Sequence, residues 1–173
     1  MALGERSTDL DNLCARIQER IAPFAGRVEY GNLRVRISDW ADWGSGDDEP
    51  VTNVALVYET PGGSTDQINI TYHHHQKTFA LVDAHEGEQT TTSPDVVLES
   101  VMGRVLAIPE KRRETLYGEI RRQVDGGSGA AGLFGHLNRF MQSEFKGGTI
   151  THIELRDAMT YAVQYMKSGM RPA

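Results

Sequence analysis

The sequence predicts an α+β protein: an N-terminal helix, a four-stranded antiparallel β-meander, then four C-terminal helices packed on one face of the sheet. Three features predict it. Residues 10–21 place apolar side chains at helical spacing, residues 28–85 alternate apolar and polar side chains between turn signals, and residues 93–167 return to the helical period. A chain of 173 residues suits one domain, 1–173, burying about 70% of its unfolded surface. Within it, 1–92 is the helix plus sheet and 93–173 the helical half, with a flexible Gly-rich linker at 126–132.

Thr8 is the expected N-cap of the first helix, Asp9 to Ala22, which Pro23 and Gly26 terminate. Its stripe is Leu10, Leu13, Cys14, Ile17 and Ile21, which makes the single cysteine a buried structural thiol and not a nucleophile. A strand follows over Val28 to Ile37, with Leu33, Val35 and Ile37 inward and Arg34 and Arg36 outward. The acidic segment 38–50 reads as a loop. Trp40 and Trp43, three residues apart, share a face if that loop makes a helical turn and then dock on the body, the commoner outcome; they form a recognition patch if they stay exposed. Alternating calcium ligands are absent from it. The next strand, Val54 to Thr60, ends at Pro61-Gly62-Gly63.

Residues 68–85 form a hairpin carrying His73, His74 and His75. Ile68, Ile70, Tyr72 and His74 fall on one face, and Asn69, Thr71, His73 and His75 on the other. A two-residue turn at Gln76-Lys77 pairs Thr78 with His75, Phe79 with His74 and Ala80 with His73, and sets His85 beside Ile68. A zinc site needs a third ligand beyond a strand-borne His-x-His, and in this register neither His85 nor Glu86 converges. His73 and His75 therefore read as solvated strand residues and His74 as partly packed near Phe79. The sheet's open face would carry Arg34, Arg36, Asn69, Thr71, His73 and His75. Residues 86–92 read as a polar connector.

Ser93-Pro94 opens a helix with Val97, Leu98, Val101, Met102 and Val105 inward, and Pro109 divides it from a second with a narrow seam, Leu116, Ile120 and Val124. A narrow seam marks an edge helix, the first place to seek a partner. Gly127-x-Gly129-x-x-Gly132 matches a dinucleotide loop only in spacing, since no strand precedes it. Two helices close the chain, Leu133 to Phe145 and His152 to Lys167. The first shows the stripe Leu133, Leu137, Phe140 and Met141; the second shows Ile153, Leu155, Met159, Ala162, Val163 and Met166. Between them, Gly148, Ile150 and Glu154 resemble the latter half of an EF-hand loop. Ser143, Phe145 and Gly147 stand where its acidic ligands belong, so calcium binding is not inferred. A helix cap at Gly147 and a capping box, Thr151-x-x-Glu154, account for the same residues.

The formal net charge of -6 argues against nucleic acid as the default partner. Residues 39–49 hold five acids and no Lys or Arg, whereas 104–122 hold six basic residues against three acids. Opposed patches suit protein contacts, including self-association. No apolar run is long enough to span a bilayer and no signal peptide is evident, so the chain reads as cytoplasmic. No catalytic constellation or cofactor motif emerges. The reading is a non-catalytic protein-binding or adaptor domain, with Trp40, Trp43, Arg112, Arg113, Arg121 and Arg122 as interaction-surface candidates. A metal-dependent enzyme or sensor using His73, His75 and His85 is the alternative, and nucleic-acid binding through the basic helix the second alternative.

Overall fold

In the computed structural model, residues 7–42, 49–83, 87–126, 135, 138–139, 141–143 and 145–169 are described, with the backbone alone at 39–42, 49 and 83. The architecture is α+β with a five-stranded antiparallel sheet. The chain divides into two compact units, one of Met1–Ala25, Leu33–Tyr58 and Asp66–Leu106, the other of Gly26–Asn32, Glu59–Thr65 and Ala107–Ala173.

The first unit contains α1 (Thr8–Ile21), the sheet and α2 (Pro94–Leu106). The α1 stripe is buried from Leu10 to Ile21 as its spacing predicts, and Cys14 is a free, buried thiol. Ser7 rather than Thr8 holds the N-cap position, and its carbonyl accepts the Asp11 amide at 3.1 Å. Arg16 meets Asp95 of α2 at 2.7 Å and Arg20 meets Glu99 at 3.3 Å. Both pairs are exposed, so each adds under about 1 kcal/mol and the apolar stripes supply most of the adhesion.

The strands run in sequence order: β1 (Arg34–Asp42), β2 (Glu49–Glu59), β3 (Thr65–His73), β4 (Thr78–Asp83) and β5 (Gly87–Thr91). Three expectations need correction. Val28–Tyr30 is a 3-10 turn closed by Gly31 at φ 63°, so β1 starts later than Val28 and runs on to Asp42. Residues 38–42 and 49–50 of the supposed acidic loop are strand instead, with Trp40 paired to Val51 and Asp42 to Glu49. The supposed polar connector supplies β5, whose side chains are mostly exposed. GEQTT carries no apolar alternation because, as an edge strand, it covers no core.

The hairpin register also differs. Tyr72 pairs with Phe79 and His73 with Thr78, leaving a four-residue turn, His74 to Lys77, with Lys77 at φ 53°. His74 is the reason. Its amide donates to Pro50 O at 3.1 Å and its Nε2 lies 2.8 Å from Thr52 Oγ1, so β2 holds it and it cannot continue the ladder with β4. The shift is even, so the faces survive: Ile68, Ile70 and Tyr72 are buried and Asn69, Thr71 and His73 are half-buried. On the inner face Tyr72 packs against Phe79 at 4.8 Å and edge-on to His74 at 5.1 Å.

The second unit is built on α3 (Ile108–Asp125), the helical residues described within 135–146 (α4), and α5 (His152–Gly169). Pro109 sits in the first turn of α3, where its missing N–H costs nothing. Leu116 and Ile120 of α3 join Met141, Ile150, Ala158, Ala162 and Met166 in one core. The α5 stripe is therefore rotated from the expected one, and Ile153 stands 61% exposed. The capping box forms: Thr151 N donates to Glu154 Oε2 at 2.7 Å and Glu154 N to Thr151 Oγ1 at 3.1 Å. Gly148, at φ 72°, takes the left-handed turn beside the expected Gly147. Among the described residues no helix is long and apolar enough to cross a membrane.

Candidate interaction surfaces

The basic residues of α3 do not act alike. Arg112, expected at a contact surface, is 1% exposed. Its Nε donates to Glu154 Oε1 at 3.0 Å, and its Nη atoms donate to the carbonyls of Glu59 and Thr149. A guanidinium carries five donors in a fixed fork, and burying it is tolerable only with such partners. Glu154 thus serves twice, capping α5 and neutralising Arg112. Sequence reasoning placed both residues in the right elements and missed the pairing, because 42 residues separate them.

The rest of α3 is partly neutralised along its own length. Arg121 approaches Glu114 at 3.7 Å, and Arg122, 74% exposed, pairs with Glu119. Glu119 also accepts from Gln123 at 2.9 Å, so both its oxygens are engaged. Arg113 is exposed. The patch that the sequence counts as basic therefore presents less free charge than its composition suggests.

Sequence reasoning missed an aromatic ladder. Tyr117 of α3 stacks on Tyr161 of α5 at 4.0 Å and 10°, and Tyr161 stacks on Tyr165, one helical turn on, at 5.9 Å and 15°. Arg121 Nη1 donates to the Tyr161 hydroxyl at 3.0 Å, a bond that raises the guanidinium pKa. Tyr165 donates to both Asp125 oxygens at 3.1 Å, and this bond, with burial and the Asp125 charge, raises its phenol above the ordinary value. The three rings are half-buried. The i, i+4 spacing of Tyr161 and Tyr165 was the available signal, but Tyr117 joins them only through the packing of α3 on α5. Beside α3, a groove of ≈ 320 Å³ is lined by Thr60, Pro61, Gly62, Ser64, Thr115, Leu116, Glu119 and Arg122.

Of the histidines, His73 ends β3 opposite Thr78, and His75 lies in the four-residue turn, so the two do not share a strand face. His85, Trp43 and most of the linker at 126–132 lie outside the described residues, as does the Trp40 side chain. No cluster of three or more His, Cys, Asp or Glu residues arranged to hold a metal ion occurs among the described residues. No protein-family model, curated protein or solved structure matches the chain.

Proposed function

We propose that the chain is a non-catalytic protein-binding domain that acts through protein contacts, self-association included, and that the α3–α5 face of its second unit is the contact surface. The observation that supports this reading is the Tyr117–Tyr161–Tyr165 ladder with Arg121 bonded to it. Tyrosine and arginine dominate interface energetics because they bury large area with few rotatable bonds lost while keeping polar handles. Stacking and the bonds to Arg121 and Asp125 hold the rings in place before a partner arrives, which lowers the entropy lost on binding. Exposed Arg113 on α3 adds charge that selects the partner.

Native mass spectrometry and sedimentation velocity of the full chain, before and after chelation, test the reading. The expected result is a metal-free, concentration-dependent dimer weakened about tenfold or more by Tyr165→Ala and by Arg113→Glu. A monomer at every concentration removes the self-association form. A stoichiometric transition metal lost in His73→Ala replaces the reading with a metal-dependent one.

A further inference from the structure

We infer that Asp125-Gly126 is a modification site, at which the aspartate isomerises to isoaspartate through a cyclic imide, and that the Tyr165 hydroxyl holds the site closed. Asp125 is the only aspartate or asparagine of the sequence that a glycine follows. The reaction needs the next residue's amide nitrogen to reach the side-chain carboxyl carbon, and glycine sets no Cβ in that path and leaves the backbone free to turn. Place in the fold matters as much. Asp125 is the last residue of α3 and Gly126 its C-cap, so this peptide unit leaves helical geometry whenever the helix end frays. Asp157, by contrast, lies inside α5 and is followed by Ala158.

The step balances with water as its only co-reactant. The Gly126 nitrogen attacks Cγ of the protonated Asp125 carboxyl; the N–Cγ bond forms, the nitrogen gives up its proton, and a carboxyl oxygen departs as water to leave the imide. Water then opens the imide on either side. Cleavage of the N–Cγ bond restores aspartate. Cleavage of the bond from nitrogen to the main-chain carbonyl routes the chain through Cγ instead, and leaves the former main-chain carbonyl as a free carboxylate. Two hydrogen bonds oppose the attack in the folded chain. Tyr165 donates to both Asp125 oxygens at 3.1 Å, which ties the carboxylate to α5. The Gly126 N–H donates to Arg122 O at 3.1 Å, which ties the nitrogen to the last turn of α3. Fraying breaks the helix bond, and the tyrosine bond then remains as the restraint on the carboxyl group. Isomerisation inserts a methylene into the main chain and moves the carboxylate that Tyr165 binds. Tyr165 belongs to the ladder proposed above as a contact surface, so the modification ages that face; this consequence rests on that reading, and the modification itself does not.

The test is peptide mapping of the full chain by electron-transfer dissociation mass spectrometry, which separates isoaspartate from aspartate by their backbone fragments. A time course at neutral pH is followed for the folded chain and for the chain in urea. Isoaspartate is expected at residue 125 before any other aspartate, and about tenfold or more faster in urea than in the folded chain. Tyr165→Phe keeps the ring and should isomerise about three- to tenfold faster than the parent when folded, and at the parent's rate in urea. Gly126→Ala should slow the reaction in both states. Tyr58→Phe, which removes a hydroxyl from the Asp66 carboxylate in the first unit, should leave the folded rate unchanged. Absence of isoaspartate at residue 125 in urea overturns the site. Equal folded rates in Tyr165→Phe and the parent overturn the role of the hydroxyl. The same acceleration in Tyr58→Phe also overturns it, by assigning the effect to a general loss of stability.

Discussion

Arg112 is the residue on which the second unit turns. Removing Glu154 strands a buried guanidinium with two carbonyls and without its hydrogen-bonded carboxylate. Glu154→Ala should therefore cost about 3–5 kcal/mol by urea unfolding, and Arg112→Met combined with Glu154→Ala should recover part of it. Recovery is the decisive outcome, because additive losses would mean that the two residues act separately. Gly31 is constrained differently: at φ 63° an added Cβ would meet the Glu59 carbonyl oxygen at 2.3 Å, while Gly31 O already accepts the Glu59 amide at 2.7 Å. Gly31→Ala should cost about 2–4 kcal/mol in the same assay. Tyr58 sets a pH limit. Buried at 2% exposure, with its hydroxyl 2.7 Å from Asp66, it has a pKa raised first by burial and then by that carboxylate. A pKa raised in the folded state means that stability is complete below the unfolded tyrosine value and is lost as pH rises above it. Above about pH 10 the unfolded chain releases a proton that the folded chain keeps, so Tyr58 should cost about 1.4 kcal/mol per pH unit. Urea titrations between about pH 8 and pH 11 should show a shallower decline in Tyr58→Phe. An unchanged slope would mean that another group governs the alkaline limit.

At the scale of elements, what the sequence made legible followed burial. The α1 and α2 stripes and the two faces of β3 are read directly, because each repeats its period against a core that must be covered. Where burial on one face is absent, the signal is absent too. β5 is an edge strand of polar residues, and β2 is buried on both faces from Val54 to Tyr58, which erases alternation and blurs its start. The hairpin turn was misjudged because the competing bonds to His74 come from β2, outside the hairpin. Lys77, not Gln76-Lys77 as a pair, absorbs the turn's left-handed backbone at φ 53°. Lys77→Gly should thus raise stability by about 0.5–1 kcal/mol by thermal unfolding, and Lys77→Val should lower it. The opposite order would show that the turn closes in another register. The Tyr117–Tyr161 contact, between residues 44 apart in the chain, was invisible for the same reason as the Arg112–Glu154 pair: neither periodicity nor capping rules reach between helices.

For the whole molecule, charge and aromatic packing make opposite demands on association, and salt separates them. The chain carries a formal net charge of -6, so two copies repel at neutral pH. If contact rested on basic α3 meeting an acidic stretch, salt would screen the attraction and weaken the dimer. But Arg121 and Arg122 are already engaged by Glu114 and Glu119, and Arg112 is buried, which leaves the stacked tyrosines as the larger asset of that face. Aromatic burial is indifferent to salt, while screening relieves the net repulsion. Raising sodium chloride from about 50 to about 500 mM should therefore leave the dimer constant unchanged or strengthen it by a few fold in sedimentation velocity. A dimer that dissolves with salt would transfer the contact from the tyrosines to the charges.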